Sequence, residues 1–201
     1  MKNICISGQM ASGKNVVGEY ICKKTQFNLA SFAKPVKDIF CQAFDVDQDF
    51  IENWKRNDEM PEGFSKTVRK SLQFIGNGFR EIKDDVWVNY AIKNNPEYSC
   101  YTDGRYINEL KKIKENKGIN ILLWRPGYEN HDTNPSESQI KFLVDWFINE
   151  KIEGDVSSIC SKNNFPFNHI DYFLINDSTI SNLYKKIDSM IINNINQLFD
   201  F

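Results

Sequence analysis

No stretch of the sequence approaches the roughly 20 consecutive apolar residues a membrane-spanning helix needs. The opening MKNICISG also lacks the charged-then-apolar region of a secretory leader and reads directly as a first strand. No membrane partner is expected. Histidine is scarce, with only His131 and His169. The five cysteines (Cys5, Cys22, Cys41, Cys100, Cys160) contain no C-x-x-C pair, so nothing has the tight clustering of a zinc site. An odd number of widely spaced cysteines in a chain this long reads as small buried hydrophobes in a reducing cytoplasm. Excess positive charge is missing too. A net charge of −2 suggests no general nucleic-acid role, although basic residues can still gather in one cleft. Neither an internal repeat nor a linker divides the chain, and 201 residues suit a single α/β domain with a small insertion.

What is present is a 41% hydrophobic, 13% aromatic composition arranged as alternating apolar runs and helical patterns, the signature of βα units around a parallel sheet. Strands are expected at Lys2–Ser7, Phe27–Ser31, YSCYT (98–102), INILLW (119–124) and DYFLIN (171–176). Helices are expected from about Gly13 to Lys24, over AKPVKDIFCQAF with Pro35 in its first turn, and over KTVRKSLQFIGNGF, DDVWVNYAIKNN and NELKKIKENK. A long closing helix would be capped by Ser178 or Thr179. Asp45–Phe64 reads as a charged excursion with weak structure. The stretch from Trp124 to Asp171 reads as outside the sheet, with a loop and then an amphipathic helix starting near Ser136. Insertions of that length are often lids or binding loops.

The first strand-to-helix junction carries the strongest chemical signal. Gly8 and Gly13 bound a loop followed by Lys14, the G-x-x-x-x-G-K pattern whose backbone N–H groups wrap phosphate oxygens. The usual hydroxyl after the lysine is replaced by Asn15, then Val16 and Val17. The Asn15 amide oxygen could ligate Mg²⁺ weakly or hold one of its waters. Alternatively, it caps the first helical turn.

A second constellation is YTDGR, at the end of a strand, where ligands bind in open α/β sheets. Asp103 could orient a Mg²⁺ hydration shell and Arg105 could clamp a phosphate through two parallel hydrogen bonds. Arg69, Arg80 and Arg125 lie near element ends, where a phosphoryl-transfer cleft needs fixed positive charge. The run KKIKENK is the solvated face of a helix.

Taken together, the stretches GQMASGKN, SFAKPVKDIF, RKSLQFIGNGFREIKDDVWV, TDGRYINE, NILLWRPG, NPSE and DYFLINDSTISNL resemble the bacteriophage-type deoxynucleoside monophosphate kinases, adenylate-kinase-like P-loop kinases. That resemblance implies a three-layer α/β/α fold with a five-stranded parallel sheet. It further implies a monophosphate-binding helical region at about 32–93 and a lid at about 125–168, all in one domain. ATP would be held by Gly8, Ala11, Ser12, Gly13, Lys14, Asn15 and Val16, and the acceptor by Phe32, Lys34, Arg69, Gln73 and Arg80. Lys14, Asp103, Arg105 and Arg125 would carry catalysis, with Mg²⁺ at Asn15 and, through water, at Asp103. The expected partner is a nucleoside monophosphate, a homodimer is an open assembly state, and the location is cytoplasmic (host cytoplasm for a chain of phage origin). Gly76-Asn77-Gly78 stands where many members have Gly-Thr-Asp or similar. Two other readings stay open at this level: a P-loop kinase for another small acceptor such as dephospho-coenzyme A, or a nucleotide-binding module without catalysis.

Overall fold

The computed structural model describes residues 2–128, 135–160 and 168–195. These form two compact units: residues 1–31 with 95–201, and residues 32–94.

The first unit is built on a sheet of β1 (Ile4–Gly8), β2 (Asn28–Ala30), β3 (Ser99–Gly104), β4 (Ile119–Trp124), β5 (Gly154–Asp155) and β6 (Tyr172–Ile175), in the spatial order β2-β3-β1-β4-β6-β5. Five strands are mutually parallel; β5 alone runs antiparallel, against β6. β1 is central, and its five residues are all buried because both sheet faces are covered. Ile4 and Ile6 point to one face, where Val17 and Ile21 of α1 (Lys14–Lys24) join Leu183 and Ile187 of α8 (Ile180–Ile187) in one cluster. Each such buried aliphatic side chain is worth about 1.5–3 kcal/mol. The other face takes α6 (Ile107–Glu115) and α7 (Pro135–Asn149), with Phe147 stacked on Phe173 at a centroid distance of 4.9 Å. The result is the expected three-layer arrangement.

α1 lies very close to β3 because residue 18 is glycine: a Cβ there would collide with Thr102 Cγ2. Lys23 and Lys24 complement the helix dipole in the last turn, and the Thr25 hydroxyl donates to the Ile21 carbonyl.

The second unit is helical: α2 (Lys34–Phe44), α3 (Gln48–Trp54), α4 (Val68–Ile82) and α5 (Val86–Asn94). Phe40, Ile51 and Val68 form its buried centre, with Phe50, Trp54, Phe64, Leu72 and Ile75 packed around them. Pro35 sits in the first turn of α2, where its missing N–H costs nothing.

The structure corrects three expectations. The sheet has six strands rather than five. The extra one, β5, lies in the stretch read as outside the sheet; two residues beginning with a glycine at φ 104° leave no alternation to read. Within Asp45–Phe64, expected to be weakly structured, Asp47 caps α3 by accepting from the Phe50 N–H at 2.7 Å, and burial of Ile51 stabilises a helix too short to form alone. The closing helix is capped by Thr179, one of the two expected caps, but passes after Ile187 into a π-helical turn, Asp188–Ile192, in which both Ile191 and Ile192 are buried. The helix expected near Ser136 exists as α7, but Ile140, Leu143, Val144 and Phe147 bury its apolar face in the first unit. Residues 129–134 and 161–167 of the expected lid, His131 among them, lie outside the described residues.

Candidate active site

Parallel pairing puts the carboxyl ends of β1, β3, β4 and β6 on one edge, with Gly8 level with Leu123 and Trp124 level with Ile175. The loop 8–13 leaves the sheet there. At Gly8, a side chain would run into the Leu123 carbonyl, and at 2.8 Å into Ser12 Oγ. Ala11 (φ 62°) and Gly13 (φ 103°) are left-handed, the alternation that turns successive N–H groups into an anion-binding concavity. Ser12 is 2% exposed, and its buried hydroxyl has no hydrogen-bond partner among the described residues. A buried hydroxyl without a partner is costly, so a group arriving in the loop would satisfy it.

Lys14 begins α1 but folds back, donating from Nζ to the Gly8 and Gln9 carbonyls at 2.6 Å each. Burial, reinforced by the Arg105 charge and opposed by Asp103, pulls its ammonium from 10.5 down to about 7. Lys14, Asp103 and Arg105 are therefore one electrostatic cluster. Asp103 Oδ2 accepts from the Ser31 hydroxyl at 2.6 Å. The Arg105 backbone is fixed by Glu109, 1% exposed, whose carboxylate accepts from the N–H groups of Arg105 (2.8 Å) and Tyr106 (3.1 Å) at the start of α6. Gln139 of α7 accepts from the next N–H, Ile107, at 3.1 Å. Arg125, one residue past β4, lies over the Tyr128 ring at 4.2 Å.

Asn15 does not cap α1. Gly13 occupies the cap position without a side-chain bond, and Asn15, exposed, is the second helical residue. Among the described residues no group of three or more His, Cys, Asp or Glu could hold a metal. Asn15 and Asp103 each carry a side-chain oxygen of the hard type that Mg²⁺ takes.

The expected acceptor residues lie in the helical unit. Arg69, Gln73 and Arg80 fall within about 40° of one another around α4, at about 100° per residue, forming one polar stripe. Gly76 lies on the same stripe, and no atom of the described residues stands within 4 Å of where its Cβ would be. All three polar residues are half-buried, and Arg80 also donates to the Asp84 carbonyl at 3.3 Å. A neighbouring, apolar face of α4 packs inward through Val68, Leu72 and Ile75. Phe32 is buried, while Lys34 is exposed and pairs with Asp38 at 2.6 Å.

Sequence reasoning assigned no role to three residues around the loop. Glu109 and Ser31 hold Arg105 and Asp103, and Asn176, just past β6, donates from Nδ2 to the Ser12 carbonyl at 3.0 Å. Glu109 and Asn176 do stand inside the motifs TDGRYINE and LINDST, but only the folded chain shows what they touch.

A G-x-x-x-x-G-K loop between the central strand and its helix, on a parallel sheet covered on both faces, is the arrangement of P-loop α/β folds. No protein-family model matches the chain. It is 26% identical over 210 residues to a protein of Acanthamoeba polyphaga mimivirus named "Putative deoxynucleotide monophosphate kinase", spanning 94% of this chain and 96% of that one. Among solved structures it is similar to shikimate kinase from Acinetobacter baumannii (13% identity, TM-score 0.47, 96% of this chain and 94% of that one). It is likewise similar to dephospho-CoA kinase from Campylobacter jejuni (14% identity, TM-score 0.47, 98% of each chain).

Proposed function

We propose that the protein transfers the γ-phosphoryl group of ATP to a (deoxy)nucleoside monophosphate, giving a diphosphate. The observation that carries this reading is the joining of Lys14, Asp103 and Arg105 beside a phosphate-type loop with an unsatisfied buried hydroxyl. The near full-length likeness to a viral protein named for that class of activity points the same way.

In this reading the loop N–H groups and Lys14 take the ATP phosphates. Lys14 exchanges two neutral carbonyls for charged oxygens and regains its proton. Arg105, its backbone fixed by Glu109, neutralises the migrating phosphoryl group, and Arg125 leaves the Tyr128 face to do the same from the loop after β4. Asp103 and Asn15 would hold the water shell of a Mg²⁺ ion, which would supply positive charge to offset the phosphates. Phosphoryl transfer asks little covalent chemistry of a protein, so positioning and charge neutralisation supply the rate. The stripe of Arg69, Gln73 and Arg80, with Phe32 and Lys34, takes the acceptor.

A coupled ADP-release assay across dGMP, dTMP, dCMP, dAMP and the ribonucleotides tests the proposal. One or more should stimulate ATP turnover at least about 100-fold over hydrolysis. No stimulation by any monophosphate refutes it; turnover of dephospho-coenzyme A alone would assign a different acceptor, and ATP binding without transfer a binding module.

A further inference from the structure

We infer that Asn176 is a positioning residue for the phosphate loop, acting through the Ser12 carbonyl; this rests on the reading of that loop as the ATP-phosphate site. When loop N–H groups turn inward to face an anion, the carbonyls between them turn outward and need donors of their own. Three donors do that work here. Lys14 Nζ serves the Gly8 and Gln9 carbonyls, the Ser12 N–H adds a 3.3 Å bond to Gln9, and Asn176 Nδ2 serves Ser12 at 3.0 Å. The first of these is lost or weakened when Lys14 turns to a phosphate. The Asn176 bond comes from outside the loop and does not depend on Lys14.

Its anchorage suits that role. The Asn176 N–H donates to the Trp124 carbonyl at 2.7 Å, locking the residue to the end of β4. The preceding Ile175 is held on both sides, its N–H by Glu153 at 3.0 Å and its carbonyl by Lys186 at 2.8 Å. The amide nitrogen also stands 3.0 Å from where a Cβ on Gly13 would be, so it closes the outer wall of the turn at which the loop enters α1. Asparagine is required by type: the Ser12 carbonyl accepts, and an aspartate of the same shape has no proton to give it.

The experiment compares wild type, Asn176→Ala and Asn176→Asp, titrating ATP and, separately, inorganic tripolyphosphate by calorimetry, with acceptor KM from the turnover assay and Tm alongside. Both variants should bind ATP about 10-fold more weakly. Tripolyphosphate should weaken by the same factor, because the clamp acts on the loop rather than on the nucleoside, and acceptor KM should hold within twofold. A purely structural role would lower Tm and leave the affinities alone. Wild-type affinity in Asn176→Ala overturns the inference, as does loss of ATP binding with tripolyphosphate binding intact. Wild-type protein that binds neither anion refutes the phosphate reading of the loop and this inference with it.

Discussion

Nucleotide binding should take up close to one proton at pH 8. Burial and the Arg105 charge hold Lys14 at about 7 in the empty protein, so at pH 8 about one molecule in ten carries the ammonium. Phosphate oxygens entering the loop favour the charged form. Restoring an ordinary lysine value then makes the uptake about 0.9 proton per ATP. At pH 6 Lys14 is already about 90% charged, and the uptake falls to about 0.1. By linkage the Kd for ATP should rise nearly tenfold per pH unit between 8 and 9 and flatten below 6. The same depressed value has a consequence for folding. The unfolded chain binds the extra proton between about 7 and 10.5, so the Lys14 contribution makes stability rise with pH across that window. Calorimetric titration in two buffers of different ionisation enthalpy, at pH 8 and pH 6, measures the uptake directly. Phosphates whose last pKa is about 6 contribute little at pH 8 but are about half protonated at pH 6, so there the Lys14 share is the difference between wild type and Lys14→Arg. Lys14→Arg, always protonated, should abolish the uptake. Uptake below about 0.3 proton in wild type at pH 8, or uptake that survives in Lys14→Arg, refutes the argument.

Lys14→Ala and Arg105→Ala should each lower turnover at least about 100-fold with an unchanged circular-dichroism spectrum, the scale of losing one preorganised charge; a folded Lys14→Ala with near-normal activity would overturn the assignment of the loop. Asn15→Thr should keep or improve activity and Asn15→Ala should raise the Mg²⁺ requirement at unchanged acceptor KM, as read from rate against Mg²⁺ concentration; identical curves in all three proteins would remove Asn15 from metal handling. Gly18→Ala should cost about 1–3 kcal/mol, because its Cβ collides with Thr102 Cγ2. For a chain of this length that lowers Tm by about 2–12 °C in a thermal melt, and an unchanged Tm would show that α1 can lift off β3 freely. Thr179→Ala removes the bond to the Asn182 N–H and should cost about 1 kcal/mol, whereas Ser178→Ala should leave the denaturation midpoint in place.

The sequence by itself determined the parallel core, because strands buried on both faces must be written as near-continuous apolar runs, and ICIS, INILLW and DYFLI are such runs. It determined the phosphate-type loop as well, because Gly8, Gly13 and the lysine that directly follows form a pattern read from local spacing alone. The face shared by Arg69, Gln73 and Arg80 follows from helical spacing alone. Other features were settled only by contacts between distant segments. β5 exists because Gly154 and Asp155 lie beside Phe173 and Tyr172, and α3 because Ile51 has Phe40 and Val68 to bury against; neither is legible in two or seven residues. The depressed Lys14 ammonium needs burial and the Arg105 charge, 91 positions away in sequence. Asn176 could be noticed in LINDST, but its partner is the Ser12 carbonyl, 164 residues earlier. A backbone oxygen leaves no mark on the sequence, so pairing of that kind is decided by the tertiary fold.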